Sequence, residues 1–406
     1  MFFHKFIHPP KEANRINRIN EFLIAGGVST CLILPSVYTI QKHIGNGATC
    51  IFVTTGLIVA FFLCMTRMKI VLTTISKRMS LVLSVCIFTV LIVLFALIYP
   101  YADSGTIGGG SDRDDALNVA ATELVNQRYP YSQSTYLGNP ITPFPGAVIL
   151  SLPFFLLGNS AYQNLFWIAV GYLAAWKFLN DSRLALIFLI AITLTPVSLQ
   201  QLVTGGDLVT NALYVFVPIV MLLNITSGNS HRLKFSIPFA ILLGISISSR
   251  SNYLLLFPLI LGLSLYSRHW KASLVYFAIP LSTFMAITLP FYMSNPEHFS
   301  PLHTISKFSQ MNEVLPLGTI IVPTSCLIIT LLLVRGNKEC SSIKFFRDVS
   351  VSQGYLVLLT GILLSIQSAV LDITVSEFGI VCLCFGVIGY LKYVCIQNTV
   401  TPAGTS

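Results

Sequence analysis

Long apolar runs separated by brief polar breaks occupy most of this chain. The first three are Phe22–Ile40, Ala48–Met65 and Ser80–Tyr99. A polar stretch from Pro100 to Pro143 interrupts them, and a short apolar run, Pro145–Leu157, follows. The rest are Ala161–Leu179, Leu184–Leu199, Val209–Thr226, Phe235–Ser249, Tyr253–Leu265, Ala272–Met293, Pro316–Val334, Tyr355–Leu371 and Ile373–Cys395. A helix needs about 20 apolar residues to cross the hydrocarbon core. Pro145–Leu157 falls short of that and reads as a re-entrant or juxtamembrane segment. Phe235–Ser249 and Tyr253–Leu265 are also short, so a broken hairpin is the alternative there to two spans.

Composition agrees with the pattern. Of 406 residues, 54% are hydrophobic and 10% charged, against about 25% charged in soluble domains. That excludes a soluble enzyme, a disordered chain and a nucleic-acid-binding domain. The net charge of +9 is informative through its placement. With a cytoplasmic N-terminus and Pro145–Leu157 not crossing, 19 of the 24 Lys and Arg fall inside. If that run crosses, 10 do. The first arrangement satisfies the positive-inside rule. The expectation is an all-α polytopic bundle, one integral domain over 1–406. It has about 12 spans plus the non-crossing segment, with both termini cytoplasmic, in the plasma (cytoplasmic) membrane. Its nine cysteines lie in apolar runs, except Cys340 in a basic loop, and form no disulfide framework.

This topology gathers four polar features on the outer face: the external acidic loop 100–143, the turn Thr204–Asn211, the turn Arg250–Asn252 and a second external loop, 294–315. The first carries Asp103, Asp112, Asp114, Asp115 and Glu123. Within it Leu117, Ala120, Ala121 and Leu124 form one stripe of a short amphipathic helix, with Ser111 as a candidate N-cap. One or two acids there serve the helix dipole. Three within four residues repel one another, which points to chemistry: Asp114, Asp112 or Asp115 as general base at the membrane surface.

Other candidates each have a structural alternative. Asp207 is an N-cap for the following span or a substrate or metal contact. Arg250 snorkels to headgroups or binds a donor phosphate. His298 and His303 are loop histidines or leaving-group contacts. Tyr131 is an interfacial anchor or a sugar-stacking ring.

The acidic loop, Tyr129-Pro130-Tyr131, Pro140-Ile141-Thr142-Pro143, Asp207 and the segment around Arg250 together resemble the GT-C superfamily of membrane glycosyltransferases. The resemblance spans roughly Ser80 to Pro258. Asp112 and Asp114 match its acidic position; Asp114-Asp115 stands where many members carry Asp-Glu, and two extra spans precede the loop. The resemblance implies an enzyme inverting a sugar from a polyprenyl-phosphate donor onto the hydroxyl of a glycan, lipid or protein acceptor in the cell envelope. A divalent cation is a candidate cofactor. The rival readings are a transporter, a lipid or polysaccharide flippase, and a polysaccharide polymerase or ligase. Span interiors nearly free of ionisable groups argue against ion-coupled transport.

Overall fold

A computed structural model describes residues 11–67, 73–104, 111–226, 234–265, 274–303, 309, 311–336, 341–368 and 370–400. Among them there is no β-strand, and one isolated antiparallel bridge joins Ser134 to Pro140. The helices are α1 Lys11–Ile33, α2 Val37–Ile44, α3 Asn46–Phe62, α4 Lys77–Asp103, α5 Arg113–Val125, α6 Pro145–Leu156, α7 Gln163–Leu179 and α8 Ser182–Thr193. They continue as α9 Pro196–Val203, α10 Leu208–Thr226, α11 Ile237–Ile247, α12 Leu256–Leu265, α13 Ile279–Ser294, α14 Gly318–Gly336, α15 Ser342–Ser368 and α16 Ile380–Val400.

Eight helical segments among the described residues are long and apolar enough to cross a membrane, or up to ten if each of two bent pairs counts as one. About twelve spans are therefore not reached by length alone. The segments Lys234–Ile247 and Ser251–Leu265 are shorter apolar helices. The first bent pair is Pro145–Leu156 with Ser160–Leu179, turned by 100° where Gly158 takes a positive φ of 127°. At about 18 Å, α6 is too short to cross alone. The second pair, Ser182–Thr193 with Pro196–Val203, bends by 70°. The sequence reads this region as one run, Leu184–Leu199. Pro196 breaks it: proline has no N–H, and Thr195 before it is extended, at ψ 148°. Pro35 interrupts the first run in the same way, between α1 and α2.

The centre is aromatic. Phe188 of α8 stacks on Phe216 of α10, with centroids 4.8 Å apart. Phe385 of α16 meets both Phe216 and Phe346 of α15 edge-on or tilted. Of the crossing candidates, Leu208–Ile225 is the most buried and Asn46–Met65 the least. The latter turns Ile51, Ile58, Val59 and Phe62 outward, as suits helices facing lipid rather than water.

At one end the connecting segments knit together. Phe144 and Gly146 donate backbone hydrogen bonds to the carbonyls of Ser249 and Ser248, at 3.2 and 2.7 Å. A Cβ on Gly146 would lie 2.0 Å from the Ile245 carbonyl oxygen, so only glycine permits this approach. Ser300 Oγ donates to the Ile141 carbonyl at 2.6 Å. Tyr129 Oη reaches the Phe291 and Asn295 carbonyls at 3.1 and 3.0 Å.

Candidate functional site

The loop helix forms where its apolar stripe predicts. Leu117, Ala120 and Ala121 are fully buried and Leu124 is partly so. Its cap differs from expectation. Asp112 occupies the N-cap position without a capping side-chain bond, while Ser111 Oγ accepts from Arg113 N at 3.3 Å. The Asp112 carboxylate instead turns to the chain that follows: Oδ2 accepts from Thr135 Oγ1 at 2.9 Å and from Asn139 Nδ2 at 2.7 Å.

Asp112 thereby faces a cavity of about 280 Å³. Arg113, Ala116, Thr142, Pro143, Arg250, His303 and Phe378 complete most of its lining. The acidic loop, the Arg250 turn and the second external loop thus share one cavity. The Thr204–Asn211 turn supplies its buried counter-charge. Asp207 has no solvent exposure, and both its oxygens lie 2.6 Å from Arg250 Nη2. Asn211 Nδ2 donates to Asp207 Oδ2 at 2.6 Å, and Arg113 Nη1 lies 4.0 Å from Oδ1. Asp207 does sit at the head of α10, but its carboxylate serves Arg250 and Asn211.

The three loop carboxylates have separate surroundings. Asp114 is buried and accepts from Tyr99 Oη at 2.7 Å. A Cβ on Gly205, whose φ is +73°, would come within 2.5 Å of Asp114 Oδ2. Burial lifts the Asp114 carboxyl to about 6, against the opposing Tyr99 hydrogen bond and with help from the Asp103 charge. Asp114 therefore joins α4, α5 and the Gly205 turn, away from the cavity lining. Asp115 Oδ2 accepts from Tyr136 N at 2.9 Å and is not among the lining residues either.

Of the loop candidates, His303 lines the cavity. His298 does not: its backbone N and ring Nδ1 lie 3.3 and 3.1 Å from Asn295 Oδ1. Tyr131 is buried in a ring cluster with Tyr129, Phe291 and Phe299, which places it in packing. Sequence reasoning missed the turn Thr374–Gly379 ahead of α16. Its Glu377 Oε2 accepts from Arg113 Nη2 at 3.4 Å, and its Phe378 ring lies under the Arg113 guanidinium, 5.7 Å to the centroid. The available signal was an acid inside an apolar run, Ile373–Cys395.

Among the described residues no group of three or more His, Cys, Asp and Glu converges as a metal site. Asp112 is the carboxylate lining the cavity, whereas Asp207 is closed off by Arg250. Two guanidinium groups with one carboxylate suit an anion better than a divalent cation. The described cysteines are free thiols; Cys340 lies outside the described residues, as do Gly108–Gly110 and Lys307.

The fold and composition define an all-helical, multi-pass membrane protein. Compared with protein-family models, curated proteins and solved structures, the chain matches none.

Proposed function

We propose that this chain is a membrane glycosyltransferase of the GT-C type. It transfers one sugar from a polyprenyl-phosphate donor to an acceptor hydroxyl at the outer face of the plasma membrane. The observation that carries this reading is the meeting of Asp112 with Arg113 and Arg250 around one cavity. A cavity near the lower end of the usual ligand range, about 300 Å³, suits a single sugar-phosphate head.

In the reaction, Arg250 and Arg113 hold the donor phosphate. Asp112, oriented by Thr135 and Asn139, takes the acceptor proton. The acceptor oxygen bonds to the anomeric carbon as the bond from that carbon to the phosphate oxygen breaks. The lipid phosphate leaves with the bonding electrons. A single displacement inverts the anomeric centre. No step is routed through a cation. The finer topology belongs to the same proposal: the eight long segments, the two bent pairs and the two shorter helices each supply one crossing, with both termini cytoplasmic.

The test is sugar transfer from a short-chain polyprenyl-phosphate donor by the purified chain in lipid nanodiscs. Asp112→Asn should lower kcat by about 10²-fold or more, and Asp115→Asn should stay within about fivefold of the unsubstituted chain. Full activity in Asp112→Asn refutes the base assignment. The two bent helix pairs favour a second reading, a flippase for the same lipid-linked head. That reading requires movement of the lipid across the bilayer with no glycosidic product.

A further inference from the structure

The two arginines of the cavity are each already matched by an acid. Arg250 is paired with Asp207, and Arg113 with Glu377. The two acids are not equivalent. Asp207 is fully enclosed and held by Asn211 as well as Arg250. Glu377 meets Arg113 at the longer distance of 3.4 Å. Its other oxygen, Oε1, lies 3.5 Å from Thr39 Oγ1, which also donates to Gln200 Oε1 at 2.8 Å. Arg113 keeps 27% of its side-chain exposure, against 13% for Arg250. It is also held loosely, over the face of Phe378. With Asp112 included, the three acids outnumber the two arginines by one. An arriving phosphate therefore enters a region of net negative formal charge.

We infer that Glu377 is the exchangeable counter-ion of the cavity: it competes with the ligand's phosphate for Arg113 and so limits how tightly that phosphate is held. This rests on the reading that the cavity receives a phosphate. Glu377 is a positioning residue, and its place in the turn before α16 couples the last helix to the loop helix α5. A site that must release a lipid phosphate after each transfer gains from such a competitor, because over-tight binding of the leaving group slows turnover.

The experiment titrates the full chain in nanodiscs with a short-chain polyprenyl monophosphate, and separately with inorganic phosphate. The variants are Glu377→Gln, Glu377→Met, Arg113→Gln and the doubles. Removing the Glu377 charge at near-constant volume should tighten lipid-phosphate binding by about three- to tenfold. Arg113→Gln should weaken it, and the gain from Glu377→Gln should vanish in the Arg113→Gln background. A purely structural Glu377 would lower binding in every background. Glu377→Met serves where Glu377→Gln is not recovered folded. Tightening for the lipid alone assigns the site to the lipid head; tightening for both probes assigns it to phosphate from either source. Binding by the unsubstituted chain that neither Glu377 variant tightens overturns this inference alone. Absence of binding by the unsubstituted chain overturns the phosphate reading, and this inference with it.

Discussion

Asp207 and Arg250 show how a residue's neighbours decide its role. A carboxylate with no solvent contact is costly unless paired, and Asp207 meets that cost with Arg250 and Asn211. Removing one partner strands the other. Arg250→Gln should therefore destabilise the protein by about 3–5 kcal/mol, while Arg250→Met with Asp207→Leu should recover most of that loss. Melting in detergent micelles, compared across the single and double variants, measures it. Asp114 gives a second residue-scale expectation. Its carboxyl sits at about 6 in the folded chain against 3.8 as the reference value. The folded state thus binds this proton more tightly than the unfolded chain. The contribution to stability is full below about pH 4 and is lost as pH rises through about 6, a change of roughly 3 kcal/mol. The melting temperature should fall between about pH 5 and pH 7, and Asp114→Asn should flatten that fall. An unchanged slope in Asp114→Asn would assign the titration elsewhere.

At the scale of elements, turns and breaks matter more than helices. The stripe Leu117, Ala120, Ala121 and Leu124 was enough to predict α5, because burial of one face stabilises an amphipathic helix whatever it packs against. The cap was not legible: Ser111 and Asp112 are both acceptable N-cap residues, and Thr135 and Asn139 decided between them from across the loop. Hydropathy was blind to the bend at Pro196, since the side chains on both sides of it remain apolar. The glycine of the Thr204–Asn211 turn reads as a hinge in sequence, yet Gly205 is where α4, α5 and the turn converge on Asp114. Gly205→Ala combines a positive φ with a clash, and should cost about 1–3 kcal/mol. It should also weaken lipid-phosphate binding, because Asp207 is two residues on. Thermal melting and phosphate titration of this one variant check both effects; a wild-type melt would mean that the turn gives way without strain.

Over the whole molecule, the placement of positive charge carries the proposed orientation. Cysteine at Ser132 or Lys177, both exposed, provides the check in intact cells with a membrane-impermeant thiol reagent, in a background stripped of the exposed native Cys50 and Cys86. Ser132→Cys should react from outside and Lys177→Cys only after permeabilisation. The reverse pattern would mean that Pro145–Leu157 crosses.

Membrane residence and helical class follow from the sequence by itself. A bilayer demands long apolar segments whose backbone polar groups bond internally, and that requirement is written residue by residue. The sequence also marked Asp112, Asp207 and Arg250 as costly charges needing a reason. Which charges meet was decided by the tertiary structure alone. Asp112 faces the cavity while Asp114, two residues away, faces Tyr99, because neighbouring positions on a helix point in different directions. Glu377, 264 residues beyond Arg113, becomes its partner because α16 packs back against the start of the chain. Such pairings arise from distant segments sharing one enclosed space, a relation that no local pattern of apolar and polar residues records.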